Sequence, residues 1–355
     1  MGNAIRYIAL DKLTRVLGRL SEILDVWVPT ASEEKKRLVR FMPYQAGMIP
    51  ELVEQSTLGP KGALLPQVES LFRFIYEKDP DDASHKRVEL EDPVAPKPTL
   101  IFGVRPCDAR GFLLFDRVFS AGPHIDGLYG ARRDLTLLAT LVCLEEDAAC
   151  FCSSVGGGPA DRQGSDLWIT PIGDGYVVEA LNDRALHVMD LLEEPANELQ
   201  TAAATKVQQE AAERRVGNLI CDQSRSNFLQ RFDDLNYWQQ MAGQCLSCGI
   251  CTFVCPTCYC FSITDELKGM RGERIRSWDS CMFYTYTLEA SGHNPRPTRL
   301  ERYRNRIGHK FSYIPEKYEG IIGCCGCGRC IRSCPVSIDI RKVVENLEEK
   351  AHACA

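Results

Sequence analysis

Two runs of cysteine carry the chemistry open to this sequence. Cys245, Cys248, Cys251 and Cys255 follow the spacing C-x2-C-x2-C-x3-C ahead of Pro256, and Cys324, Cys327, Cys330 and Cys334 repeat it ahead of Pro335. This is the bacterial ligand run for [4Fe-4S] clusters, in which three thiolates wrap one cube and the fourth reaches the other. The spacing assigns Cys245, Cys248, Cys251 and Cys334 to one cube, and Cys324, Cys327, Cys330 and Cys255 to a second. Gly249, Gly326 and Gly328 let the backbone come close. The rival is a zinc site of paired C-x2-C type. Zinc takes four thiolates and has no use for three evenly spaced ones plus a Cys-Pro, written twice.

Four further cysteines, Cys107, Cys143, Cys150 and Cys152, lie upstream. Cys107 follows one predicted strand and Cys143 ends the next, positions that meet outside the carboxyl ends of a parallel sheet, where ligands bind. Cys150 and Cys152 sit on the loop leaving Cys143, beside Gly156-Gly157-Gly158. The expectation is a possible third [4Fe-4S] site on these four; the alternative is buried structural thiols. Arg105 and Asp108 flank Cys107, either as an ion pair or with Arg105 donating to cluster sulfide. The glycine run lacks the strand–turn–helix frame and the G-x-G-x-x-G of a dinucleotide fingerprint.

Cys258, Cys260 and Cys281 are surplus to two cubes and are expected to support them or to be structural, the alternative being ligation of an unusual centre. Cys325 is expected to face away from the second cube, and Cys221 and Cys354 to be incidental. His293 and His309 read as hydrogen-bonded structural residues. Between Lys268 and Lys310 ten Lys or Arg stand against four Asp or Glu. Such a run is a solvated face, or it offsets anionic clusters or docks an acidic partner. No Ser-His-Asp set, P-loop or acid/base pair is present in context, so no catalytic residue is assigned.

Eighteen cysteines in 355 residues, none before Cys107, is metal-binding usage. A secreted disulfide framework wants a short chain and a signal peptide. Here Arg6, Asp11, Lys12 and Arg15 interrupt any secretory core, and no apolar run could span a bilayer. A cytoplasmic protein is expected. The net charge of -6 argues against nucleic-acid binding.

The elements that position these residues are mixed. Apolar spacing predicts a helix over Asp11–Asp25, a short strand over Leu38–Met42 and a turn at Gly59–Gly62. A βαβ unit follows: strand Thr99–Val104, helix Ala109–Phe119, strand Leu135–Cys143. Asp166–Ile172 and Tyr176–Ala180 form a hairpin, and Ala185–Arg215 and Asp222–Met241 read as helical. Ile263–Arg271 and Phe283–Ala290, between the cysteine runs, are expected to be helices. The fold class is α+β. An α/β domain with a mixed sheet, residues 1–220, precedes an α-helical ferredoxin-type dicluster domain, residues 221–355.

Longer motifs resemble one family. Cys255-Pro-Thr-Cys-Tyr-Cys-Phe, Trp278-Asp-Ser-Cys281, Gly292-His-Asn, Arg302-Tyr-Arg, His309-Lys-Phe and Gly323-Cys-Cys-Gly-Cys-Gly-Arg are similar to the 4Fe-4S dicluster electron-transfer subunits. These include the β subunit of cytoplasmic [NiFe] hydrogenases (sulfhydrogenases), the A subunit of anaerobic sulfite reductase and subunits associated with heterodisulfide reductases. Leu64-Leu-Pro, Leu71-Phe-Arg-Phe, Gly103-Val-Arg-Pro-Cys-Asp-Ala-Arg, Arg132-Arg133 and Cys150-Phe-Cys-Ser-Ser extend the resemblance upstream. It implies an electron-transfer subunit beside a flavin subunit that binds NAD(P)H, with a separate catalytic hydrogenase or reductase subunit. The alternative is a catalytic cysteine-rich subunit in which Cys258, Cys260 and Cys281 act on a disulfide or sulfur substrate. A purely structural or regulatory iron–sulfur protein is a third reading.

Overall fold

Near-continuous apolar runs such as Thr99–Val104 and Thr136–Leu141 fit only strands covered on both faces. In the computed structural model, which describes residues 5–32, 38–78, 81–82, 86–192, 194–219, 221 and 224–349, both are buried almost throughout. The strands are β1 Ile5–Ala9, β2 Asp25–Ala31, β3 Val39–Pro43, β4 Val68–Lys78, β5 Lys86–Glu91, β6 Thr99–Val104, β7 Thr136–Leu141, β8 Leu167–Ile172, β9 Gly175–Ala180, β10 Glu194–Pro195, β11 Phe261–Lys268 and β12 Arg271–Trp278. Eight of them make a mixed sheet in the order β10-β1-β9-β8-β7-β6-β2-β3. Pairing is parallel for β2–β6, β6–β7 and β7–β8 and antiparallel for the rest.

Alternation along β6 separates two apolar layers. Leu100 and Phe102 pack with Leu13, Leu17 and Leu20 of the helix Leu13–Ser21. Ile101 and Val104 face Phe112 and Phe115 of the helix Pro106–Phe119. That helix begins with Pro106, a residue suited to a first turn, so Cys107 sits in its first turn at the carboxyl end of β6. The βαβ unit and the hairpin β8–β9 follow the sequence expectation. The stretch Ala185–Arg215 is instead broken into Leu186–Leu191, strand β10 ending at Pro195, and Glu198–Glu213, which opens with a capping box at Asn197. The predicted turn at Gly59–Gly62 runs into a short helix, Lys61–Leu64. Cys354 lies outside the described residues, as does Asp222 at the start of the next expected helix.

The expected helices between the cysteine runs are not formed. Ile263–Arg271 belongs to the antiparallel hairpin β11–β12, turning at Gly269 with φ 66°. Phe283–Ala290 holds only a 3-10 turn, Tyr284–Thr287. Glu266, Leu267 and Lys268 favour a helix locally. A partner distant in sequence overrides them, since β12 pairs with β4 and builds the sheet β11-β12-β4-β5. This sheet draws strands from both sides of residue 220. Arg276 of β12 is buried and donates to Glu69 of β4 at 2.6 Å and to Asp126, while Arg132 also donates to Glu69.

The helices Ser224–Gln230, Leu235–Ala242, Arg299–Gly308 and Ile340–Glu349 enclose a second core around Phe228, Trp238, Ile307, Phe311 and Val344. A π-helical stretch, His309–Tyr313, extends the helix Arg299–Gly308. Among the described residues no helix is long and apolar enough to cross a membrane. Replacing Glu69 by Ala leaves Arg276 short of a buried partner, so stability should fall by about 3–5 kcal/mol. The urea midpoint of the variant against the parent checks this.

Candidate iron–sulfur centres

The two cysteine loops share one backbone path. Two residues after the first cysteine of each run the chain turns left-handed, at Ser247 (φ 54°) and Gly326 (φ 65°). It does so again at Gly249 (φ 77°) and Gly328 (φ 71°), each of which opens a one-turn helix, Ile250–Phe253 and Arg329–Arg332. In both loops the turning residue itself sends its N–H back to the first sulfur: Ser247 N to Cys245 Sγ at 3.4 Å, Gly326 N to Cys324 Sγ at 3.5 Å. Backbone N–H groups aimed at sulfur are what a cluster-binding loop supplies.

The thiols of the two runs lie in adjoining groups, with Cys330 near members of both runs. Cys245, Cys248, Cys251 and Cys334 line one cavity of about 440 Å³ including its mouth, with Tyr303, Arg306 and Cys330. Cys324 lies within electrostatic range of Cys255 and Cys330, and Cys330 within range of Cys255 and Cys327. Upstream, Cys143 lies within range of Cys107, Cys150 and Cys152. This third set abuts the second. Phe151 N donates to Gly326 O at 2.8 Å, and Cys150 Sγ lies 3.7 Å from Cys327 O. A Cβ on Gly326 would stand 2.5 Å from the backbone of Phe151 and Cys152, and one on Gly328 would stand 2.7 Å from Ala149. Only glycine admits that approach.

Whether an iron–sulfur group fits is decided by charge. Burial pushes Cys152 and Cys324 up to about 12 and Cys330 up to about 11. Left alone these thiols stay protonated at neutral pH, whereas a bound metal deprotonates them. The cations around them are already present. Lys61, Arg306 and Lys310 are only 4%, 3% and 3% exposed, and among the described residues none has a carboxylate partner. Lys310 Nζ donates to Cys255 Sγ at 3.3 Å, Thr257 Oγ1 at 3.0 Å and Gly323 O at 2.9 Å. Lys61 Nζ donates to Thr252 O and Cys258 O and lies 4.1 Å from the Trp278 ring. Arg306 Nε and Nη2 and the Tyr303 hydroxyl are buried without a hydrogen-bond partner among the described residues, beside Cys251 and Cys330. Buried Lys and Arg are rarely left unpaired. An anionic cluster held by these thiolates is the acceptor they lack. The donor set fits.

Other expectations meet different outcomes. Arg105 does not pair with Asp108. It donates to Leu52 O and Val53 O at 2.8 and 2.7 Å, while Asp108 takes Arg329, whose Nη1 and Nη2 lie at 2.5 and 2.8 Å. Both members of that pair are fully buried between Cys107 and Cys327. Cys325 does not stand apart, since it is hydrogen-bonded to the Cys327 sulfur and holds that thiol down at about 7. Cys258 is hydrogen-bonded to Cys255, and Cys221 is buried in the second core. His309 has a structural setting, with Nε2 3.2 Å from the Tyr259 hydroxyl. The basic run splits: Arg302, Arg306 and Lys310 turn inward, Arg302 onto Met282 O and Ser247 Oγ. Lys61 and Arg329 were missed. Nothing in sequence marks a lone basic residue as buried.

Residues 244–338 match the 4Fe-4S dicluster domain family. Subunit β of sulfhydrogenase 2 from Pyrococcus furiosus is 31% identical over 255 residues, covering 70% of this chain and 74% of that subunit. This chain belongs to that family of 4Fe-4S electron-transfer subunits. No solved structure matches it. The family resemblance in the cysteine motifs is thereby shown, and the matched domain spans both runs.

Lys310→Met removes the cation nearest Cys255. The midpoint potential of the centre beside it should fall by on the order of 100 mV, with Lys310→Arg closer to the parent, as read by redox titration. A second prediction concerns pH. Burial first, and the Lys310 charge next, lower His309 from 6.5 to about 4. Across that window the unfolded chain binds the proton and the folded chain does not, so stability rises with pH and is lost as pH falls through it. His309→Gln should flatten this slope, as urea midpoints at about pH 5 and about pH 7 will show.

Proposed function

We propose that this chain is an electron relay of three [4Fe-4S] centres within a cytoplasmic oxidoreductase complex. Cys245, Cys248, Cys251 and Cys334 hold the first, Cys324, Cys327, Cys330 and Cys255 the second, and Cys107, Cys143, Cys150 and Cys152 the third. Residues 1–220 carry the third and residues 221–355 the other two. A cube bound at such a set gains or loses one electron at a time. The chain's own part is to hold the sets side by side, exclude water and supply positive charge through Lys61, Arg306 and Lys310. Its partners would be a flavin subunit that oxidises NAD(P)H and a catalytic subunit of the hydrogenase or sulfite reductase kind. The relative named as a sulfhydrogenase subunit supports this setting.

The observation that carries the reading is the contact of the third set with the second, through Phe151, Cys152 and Gly326. The alternative of a cysteine-rich catalytic subunit needs Cys258, Cys260 and Cys281 to act together. Cys258, however, is engaged with Cys255. Turnover of a disulfide or sulfur compound by the isolated chain with an artificial reductant would favour that alternative.

Iron content separates the outcomes. Anaerobically purified chain should hold about twelve irons, and Cys152→Ser about eight. A parent count of about eight would remove the third centre and leave the other two.

A further inference from the structure

The helix Arg299–Gly308 and its π-helical continuation run alongside both cysteine loops. Spacings of three and four residues place Tyr303, Arg306 and Lys310 on one side of this stretch, and each is only 3% exposed. Arg302 fixes the helix against the first loop: Nε donates to Met282 O at 2.9 Å and Nη2 to Ser247 Oγ at 3.3 Å. Lys310 already has three acceptors. Its two neighbours on that side differ. The Tyr303 hydroxyl and Arg306 Nε and Nη2 have no hydrogen-bond partner among the described residues. Both side chains line the cavity that Cys245, Cys248, Cys251 and Cys334 share. Among the described residues no carboxylate lines it, and Met282, Ile338 and Ile340 make much of the remaining wall. A buried donor facing apolar side chains and sulfur loses its water and gains nothing in return, unless the sulfur it faces carries charge.

We infer that the Tyr303 hydroxyl and the Arg306 guanidinium are hydrogen-bond donors to the group held by Cys245, Cys248, Cys251 and Cys334, and that they set its potential. The inference rests on the ligand assignment proposed above and adds two residues that are not ligands. Reduction puts one more negative charge on the group. A donor aimed at its sulfur holds the reduced form more tightly than the oxidised form, and so raises the potential. Burial strengthens the effect, because little water reaches the cavity wall to screen it. The two donors differ in reach. Tyr303 is neutral, and its hydroxyl acts only on the sulfur it touches. Arg306 carries a full charge and lies beside both Cys251 of the first run and Cys330 of the second. Its influence therefore extends to the second centre, while that of Tyr303 stays with the first.

The test is an anaerobic redox titration of the full-length, iron-loaded chain, followed by electron paramagnetic resonance, with iron counted on every sample. Cys248→Ala should lose about four irons and one redox wave, which identifies the first centre. Tyr303→Phe removes a single oxygen atom and should keep all its iron. At a fixed potential its ratio of reduced to oxidised first centre should fall about tenfold, a downward shift of about 59 mV for a one-electron couple. The wave that moves must be the one that Cys248→Ala removes. Arg306→Met should lower the first centre further and the second as well, with Arg306→Lys closer to the parent. A merely structural role would change iron content or thermal stability and leave the potential of the loaded chain where it was. The inference is overturned if Tyr303→Phe, fully loaded, keeps or raises the parent potential, or shifts the second centre and not the first. Retention of all iron by Cys248→Ala would overturn the ligand assignment and this inference with it, whereas loss of four irons with an unmoved Tyr303→Phe wave would overturn the inference alone. Tyr303→Phe decides the matter even where an Arg306 variant fails to fold.

Discussion

Buried charge is the constraint on which this structure depends. A thiolate taken out of water must find positive charge, and an ammonium or guanidinium taken out of water must find negative charge. Lys61, Arg306 and Lys310 answer the first need and create the second. Arg306 and Lys310 lie on one helical stretch, and Lys61, far upstream, reaches across to Thr252 O in the first cysteine run and to Cys258 O just after it. Arg329 of the second run is locked onto Asp108, next to Cys107. The halves on either side of residue 220 are therefore joined electrostatically as well as by the sheet that β4 and β12 share. It follows that metal loading and folding are coupled. Without an anionic acceptor the Arg306 side chain is a buried charge with two unpaired donors.

The two loops show how one backbone path serves different neighbours. The first loop places Ser247 where the second places Gly326, at nearly the same left-handed φ. The serine hydroxyl there accepts a hydrogen bond from Arg302 Nη2 at 3.3 Å. Gly326 faces the peptide of Phe151 and Cys152, and any Cβ would collide with it. The missing side chain at Gly326 makes room for the loop bearing Cys150 and Cys152 against the second run. The third set of thiols owes its position to two absent side chains, at Gly326 and Gly328.

How much of this the sequence disclosed follows from the range of the interactions. The cysteine spacings are local rules with one physical meaning, and the stretch that matches the dicluster family spans both runs. The βαβ unit was legible because buried parallel strands leave unbroken apolar runs. Cys107 and Cys143 meet because such strands end at the same sheet edge. The hairpin β11–β12 was misread because Glu266-Leu-Lys268 favours a helix and the strand that claims it, β4, lies far upstream. Of the two readings open for Arg105, the ion pair with Asp108 is not formed for a similar reason: Asp108 finds a fully buried guanidinium from residue 329. Charge partners across the fold leave no local pattern.

Exposure adds direction to the proposed relay. Cys255, Cys324 and Cys327 of the middle set are buried, while Cys330 is partly exposed. The sets beyond it reach the surface in different company. At one end Cys248 is exposed beside the apolar side chains Leu246 and Ile250. At the other, Cys107, Cys143 and Cys150 are only partly covered, and a large open cleft beside them is lined by Glu54, Glu145, Glu146 and Asp147 with Arg332. An apolar rim and an acidic rim suit different docking partners, since charge selects partners while apolar area holds them. The proposed relay, more covered at its middle than at its ends and with unlike surfaces at those ends, would serve two partners without their competing for one face.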